Sequence, residues 1–280
     1  MKKHYQDYRK EAKVLLFDLE VSPTLMWGYG QYEVHPIKVE QAPVLLALSW
    51  KWLGDKGKPQ GLTLEDKRLV DKFNDKLLVK ELWNLLDEAQ VVVAHNGARF
   101  DVKMANAFFA RHNMTPPSPY KVFDTLQTAR RFFRFDNNTL DYLGHLLVDE
   151  GKTEQRYGDC WEELLLSEDK KKRKKAAKTM DEYCRQDVNV LEKVYERLLP
   201  WATNHPNMAL FAGRPDVCPR CGFEATFKIK SYRRTGVQVN AIQYQCSHCH
   251  SYVTRSLTKE ERAELDEEGR LKSEYRNLSA

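Results

Sequence analysis

The chain has 280 residues, 42% of them hydrophobic and 30% charged, with a formal net charge of +5. That length allows one large domain or two smaller ones around a buried core, and no apolar run approaches a transmembrane helix, so a membrane partner is not expected. Residues 1–13 are basic with no apolar segment behind them, so no secretory leader is expected, and the mild positive charge is compatible with a polyanionic partner without establishing one.

Residues 14–20 (VLLFDLE) read as a buried strand. Side chains two apart on a strand share a face, so Asp18 and Glu20 stand together at its end. Two such carboxylates repel each other and cost desolvation. A divalent cation relieves both problems, because hard cations take oxygen ligands. Residues 24–32, with Trp27 and Tyr29, predict the next strand of a meander, and residues 44–52 (VLLALSWKW) a third. Residues 54–61 (GDKGKPQG) form a turn-rich connection. Residues 76–89 carry helical apolar spacing at Leu77, Leu78, Leu82, Leu85 and Leu86. A short apolar run, VVVAHNG at 91–97, stops at Asn-Gly. Residues 101–112 read as a helix closed off by Pro116, Pro117 and Pro119.

Residues 121–123 follow as a short strand, Asp124 starts a helix, and 138–147 and 170–199 are further helical stretches, the last with room for one break. Strands alternating with helices point to an α/β layer fold. After Pro200 the composition changes. The expected division is a domain over 1–203, a linker over 204–215, a short-stranded cysteine-bearing domain over 216–256 and a charged helical tail over 257–280.

Four of the six cysteines form two close pairs, Cys218-Pro-Arg-Cys221-Gly and Cys246-Ser-His-Cys249. Without a leader, such pairs favour a metal site in a reducing, intracellular (cytoplasmic) setting over disulfides. The spacing reads as one structural Zn²⁺ held by four thiolates, and the segment resembles a zinc ribbon. Gly222 suits the tight turn after the second cysteine. His248 and His250 are competing ligands that four thiolates make unnecessary. Between the pairs lie Lys228, Lys230, Arg233 and Arg234, interleaved with Phe227, Tyr232 and Tyr244. Cations among aromatics suit backbone neutralisation and base stacking. A purely structural clip, or docking of a replication or repair protein, are the other uses of such a module.

The remaining acids complete a pattern. Asp101 lies in HNGARFD just beyond the VVVA run, and Asp187 lies in DEYCRQDV, four residues after Tyr183 and so on the same helix face. Singly these are weak signals: Asp101 reads equally as a helix cap and Asp187 as a surface acid. Together, four carboxylates at strand ends or on helices suit two metals about 3.5–4 Å apart, the arrangement for phosphodiester hydrolysis. The order Asp-x-Glu, Asn-x-x-x-Phe-Asp, Tyr-x-x-x-Asp resembles the DEDD superfamily of 3′–5′ exonucleases over roughly residues 12–200. Within it the chain is similar to the tyrosine subclass, which includes the proofreading domain of family B DNA polymerases. The histidine subclass has a His at the position held here by Glu182.

The resemblance implies an RNase H-like mixed sheet flanked by helices, with two Mg²⁺ or Mn²⁺. It assigns Asp18, Glu20 and Asp187 to the metal that activates water, and Asp18 and Asp101 to the metal at the leaving 3′-oxygen. Tyr183 orients the water, and Asn96 lines the site near the terminal nucleotide. The implied reaction is hydrolysis of the 3′-terminal phosphodiester of single-stranded DNA. An RNA 3′-end exonuclease, a junction endonuclease and a non-catalytic nucleic-acid-binding adaptor centred on the ribbon are the alternatives.

Overall fold

The computed structural model describes residues 12–29, 35–67, 71–151, 160–213, 216–236, 238–265, 269–270 and 275–276. Two units emerge, one of Val14–Tyr195 and one of Met1–Lys13 with Glu196–Ala280. The first contains, in chain order, β1 (Val14–Val21), β2 (Leu25–Trp27), β3 (Lys38–Gln41), β4 (Leu45–Trp52), β5 (Gln60–Thr63), α1 (Lys76–Glu88), β6 (Val91–Ala94), α2 (Asp101–Arg111), β7 (Lys121–Asp124), α3 (Thr125–Phe132), α4 (Leu140–Val148), α5 (Cys160–Leu166) and α6 (Lys170–Leu198). Its five-stranded sheet runs β5-β4-β1-β6-β7. β1 is antiparallel to β4 and parallel to β6, β5 is antiparallel to β4, and β7 is parallel to β6. This is the expected mixed sheet with flanking helices.

The two faces of β1 meet different partners, because strand side chains alternate. Leu15, Phe17 and Leu19 enter a core with Leu78, Leu82 and Leu86 of α1 and Phe108 and Phe109 of α2. Each fully buried side chain of this kind contributes about 1.5–3 kcal/mol. The other face is crossed by α6. Its Ala176, Ala177 and Met180 pack with Leu46 and Leu64, Cys184 meets Asp18 of β1, and the Tyr195 ring meets Phe123 of β7 edge-on at 5.3 Å. The helix therefore spans the sheet from its β5 side to β7. Close approach is possible because Gly61 has no Cβ; one there would stand 2.1 Å from Asp181 Oδ1 and 2.9 Å from Arg185 Nε.

Three local expectations change. The strand expected over 24–32 is the three-residue β2, which pairs with β3 as a separate two-stranded sheet. Leu25, Met26 and Trp27 are all exposed, so this strand, although apolar, stays outside the core; residues 30–34 lie outside the described part. β5 begins inside the stretch read as turns, recruited by pairing with β4 from Ala47 to Trp50. The helical stretch expected over 170–199 is unbroken through Leu198.

In the second unit, a 3₁₀ turn (Leu199–Trp201) and α7 (Met208–Ala212) precede β8 (Phe227–Thr235), β9 (Gln238–Cys246), β10 (Tyr252–Ser256), α8 (Lys259–Ala263) and β11 (Tyr275–Arg276). The sheet order is β10-β9-β8-β11. Residues 204–215, which show no sequence period, nevertheless contain α7. Its Met208 is buried and donates its amide to Pro219 O at 2.9 Å. The charged helical tail expected over 257–280 contains the short α8, opened by a capping box between Thr258 and Glu261. Tyr275–Arg276, within the expected helical tail, instead pairs as a strand with β8. Among the described residues no helix is long and apolar enough to cross a membrane.

Asp75 ties three elements of the first unit together. Its buried carboxylate accepts from Leu45 N at 2.8 Å and Arg111 Nη2 at 2.5 Å, and meets His112 Nε2 at 2.6 Å. Removing it strands a backbone amide and the Arg111 head group. Asp75→Ala is expected to lower unfolding stability by about 3 kcal/mol, read from the urea midpoint, with Asp75→Asn closer to the parent.

Candidate active site

The acidic site grows from the end of β1. Pairing of β1 with β6 stops at Leu16↔Val93, so β1 outruns its parallel neighbour. Beyond that point Asp101 takes over: its carboxylate accepts hydrogen bonds from the amides of Leu19 and of its own residue. Asp101 is the first residue of α2, and the cap position is Phe100, which makes no side-chain cap bond. The helix-cap reading of Asp101 is therefore replaced by a contact to β1.

The loop that delivers Asp101 is tightly defined. Asp124, at the end of β7, accepts from Asn96 N at 3.1 Å and Ala98 N at 3.2 Å. It also caps α3 through Leu126 N and Gln127 N. Asn96 sits at φ 67, a left-handed conformation that asparagine tolerates better than most residues. A Cβ on Gly97 would lie 2.4 Å from Ala94 Cβ and 3.7 Å from Asp101 Oδ2. Only glycine lets the chain turn so closely over the end of β6. His95 bridges Thr125 Oγ1 at 3.0 Å and Asn138 O at 2.9 Å.

Asp18 and Glu20 present carboxylate oxygens that lie, together with Cys184 Sγ, within 4.8 Å of one another. Asp187 is 4% exposed and lines the same cleft, of about 500 Å³, as Asp18, Asn96 and the exposed Arg130. The remaining wall combines polar Asp136, Asn137 and Asn138 with apolar Leu126 and Leu140. Tyr183 is half-buried one turn before Asp187 on α6 and is not among the residues lining this cleft. Arg130 and Cys184 carried no expectation. Arg130 has only one turn of α3 and the tertiary fold to place it. Cys184 was visible as a neighbour of Tyr183, but its contact to Asp18 crosses 166 residues of sequence.

Electrostatics follow from this crowding. Asp101 is 4% exposed. Burial, reinforced by the negative charges of Asp124 and Glu20, outweighs its two amide donors and pushes its carboxyl up to about 7. Burial first, then the charges of Asp18 and Glu20, hold the Cys184 thiol well above its ordinary value. It therefore stays protonated and lies within hydrogen-bonding reach of Asp18 Oδ2 (3.4 Å) and Asp18 O (3.5 Å). A protonated thiol is a donor and not a ligand, which leaves an all-oxygen set. Carboxylates this close and this repelled fit a hard divalent cation, whose two oxygen ligands stand up to roughly 4–5 Å apart.

The four paired cysteines of the second unit also converge. Their sulfurs all lie within 4.8 Å of one another, and Cys218 Sγ is 3.8 Å from Cys249 Sγ. A tetrahedral thiolate site with metal–sulfur bonds of about 2.3 Å has edges of about 3.8 Å. Two knuckles repeat the same bonds. Arg220 N and His248 N each reach the first sulfur of their pair at 3.4 Å. Gly222 N donates to Cys218 O at 2.8 Å, and His250 N to Cys246 O at 3.1 Å. Both turns need a left-handed residue, Gly222 at φ 71 and His250 at φ 60. Neither His248 nor His250 joins the sulfur cluster; His248 stacks on Phe223 at 3.9 Å.

Lys228, Lys230, Arg233 and Arg234 are exposed along β8. Phe227 and Tyr244, read as interleaved stacking aromatics, are instead buried and meet edge-on at 6.5 Å. Strand alternation sends them into the core while the cations face out.

Two measurements probe these centres. Because Asp101 binds its proton more tightly folded than unfolded, its contribution to stability is full below about pH 4 and is lost as pH rises through about 7. Asp101→Asn is expected to flatten that part of the stability–pH curve in Mg²⁺-free buffer, read by thermal unfolding, and to be more stable than the parent at pH 8. Cys246→Ser is expected to lose bound metal by elemental analysis and to unfold the second unit, read as lost near-UV signal and a lower melting temperature.

Comparison with curated proteins finds no match. The sequence model of the RNase H superfamily matches residues 60–199, half of the chain. The match runs from β5 through α6 and so takes in Asp101, Tyr183 and Asp187, while Asp18 and Glu20 come from β1 ahead of it. Matching span and mixed five-stranded sheet agree, and the chain belongs to the RNase H superfamily.

Proposed function

We propose that the chain is a metal-dependent 3′–5′ exonuclease of the DEDD type, tyrosine subclass, carrying a C-terminal zinc ribbon and acting on single-stranded DNA ends inside a reducing compartment. The observation that carries this reading is the convergence at one sheet end of Asp18 and Glu20 from β1, Asp101 from α2 and Asp187 from α6, with Asp18 and Asp187 in one cleft. Two Mg²⁺ or Mn²⁺ ions bound there would lower the pKa of water and offset charge on the leaving 3′-oxygen.

Asp18, Glu20 and Asp187 form one ligand group in this reading, and Asp18 with Asp101 the other. Bound cations would also draw Asp101 back to its ionised form, since an adjacent positive charge favours the carboxylate. Cys184 acts by donating to Asp18, which directs the carboxylate's remaining lone pairs toward the cleft. Tyr183 holds the attacking water by its hydroxyl. A phenol with pKa about 10 is better suited to orienting a water than to removing its proton. Asn96 and Arg130 line the cleft where the terminal nucleotide and its phosphate would lie. The four sulfurs of Cys218, Cys221, Cys246 and Cys249 hold a structural Zn²⁺ that completes a unit with a small core of its own.

Digestion of 5′-labelled single-stranded DNA and RNA of one sequence, with Mg²⁺ or Mn²⁺, tests the reading. A metal-dependent ladder shortening from the 3′ end is expected, with DNA cut faster than RNA. The Asp18→Ala/Asp187→Ala protein should lose roughly 10³-fold or more in rate, and Tyr183→Phe roughly 10²-fold with little change in KM. No cleavage of either nucleic acid, or undiminished cleavage by the double variant, would sink the proposal. Faster RNA cleavage would move the substrate to RNA.

A further inference from the structure

We infer that the second unit has its own binding site for unpaired nucleotides, in a cleft between residues 196–201, with which that unit resumes after Tyr195, and the β9–β10 side of its cysteine-bearing sheet. The cleft holds about 460 Å³ and is lined by Arg197, Trp201, Gln245, His248, His250 and Tyr252. Trp201 is 53% exposed and Tyr252 50% exposed. Large rings that face water at a concave surface offer π-faces for stacking, and a base has such a face whatever its sequence. His248 is held as a fixed wall by its stack on Phe223, and Gln245 by its bond to His250 O at 3.1 Å.

The sheet register extends the cleft into a charged track. Tyr252 pairs with Gln245, and Gln245 pairs with Lys228, so the three stand in one row on one face. Farther along that face, Ser256, Ala241 and Arg233 form another row. Aromatic and amide groups at one end thus lead to exposed cations at the other. Over residues 216–256 the cations are Arg220, Lys228, Lys230, Arg233, Arg234 and Arg255, against the acids Asp216 and Glu224. Among the described residues, Glu196 is the one acid lining the cleft itself. This complements a phosphate backbone, and a single strand is favoured over a duplex because paired bases hide their faces. The inference rests on the nuclease reading for its ligand class, and it assigns base contact to Trp201 and Tyr252, whereas the sequence suggests Phe227, Tyr232 and Tyr244.

Fluorescence anisotropy of a 5′-labelled oligothymidylate on the Asp18→Ala/Asp187→Ala protein reads binding without cleavage. Adding Trp201→Ala and Tyr252→Ala is expected to raise Kd at least roughly tenfold, while Trp201→Phe with Tyr252→Phe stays near the parent. Lys228→Ala should weaken binding and lower its salt dependence. Unlabelled duplex should compete poorly. No binding by the parent, unchanged Kd in the alanine pair, or equally tight binding of duplex would overturn the inference, and unchanged Kd would turn this face over to a protein partner. Hydrolysis by the unmodified chain is read separately, so loss of the nuclease reading with aromatic-dependent binding intact leaves this site standing.

Discussion

Carboxylate crowding at the end of β1 is the constraint around which the first unit is arranged. Asp18 and Glu20 share a face because a strand alternates, and the fold then brings Asp101 against the Leu19 amide and Asp187 into the cleft beside Asp18. Burial first, with the like charges of Asp124 and Glu20 adding to it, pushes the Asp101 carboxyl up to about 7. Buried Asp75, by contrast, is paired with Arg111. The contrast between a clamped acid and a crowded set of acids separates structural carboxylates from those suited to a cation.

Close backbone approach holds the crowded acids in place. Gly97 allows the chain to fold back over Ala94, and Asp124 collects the amides of that loop and of α3 at a single carboxylate. Gly61 allows α6 to descend onto the row Asp18, Ser49, Gly61 that crosses three strands. α6 then carries Cys184 onto Asp18 and Asp187 into the cleft. The helix is long because it must reach across the sheet, and it is anchored at both ends by packing on β4–β5 and on β7. The second unit is organised by a different chemistry. Its two knuckles repeat one set of amide–sulfur and turn hydrogen bonds, with His250 taking the left-handed position that Gly222 fills in the first.

Much of this was legible without coordinates. The strand carrying Asp18 and Glu20, the helices over 76–89 and 101–112, and the cysteine pairs all follow from short-range pattern: alternation, helical spacing and two-residue gaps. The readings that changed are those decided by partners remote in sequence. Residues 24–32 read as the next strand of a meander from Trp27 and Tyr29, yet β2 leaves its apolar side chains exposed and, among the described residues, pairs with β3 in a separate sheet. β5 lies in a turn-rich stretch and exists because β4 offers an edge. Phe227 and Tyr244 are interleaved with cations in sequence, but alternation turns them inward, while Tyr252 on β10 and Trp201 in the 3₁₀ turn face water.

Residue chemistry and local period therefore determined the α/β class, the identity of the acids and the tetrathiolate spacing, because each is written within one strand, one helix turn or one knuckle. Tertiary structure alone decided that Asp101 bonds to β1 and does not cap its helix, that Cys184 meets Asp18 across 166 residues, and that Arg130 faces the cleft. Those contacts are set by where α2, α3 and α6 land on the sheet. Their landing depends on packing and on two glycines whose missing side chains matter only once the neighbouring atoms are in place.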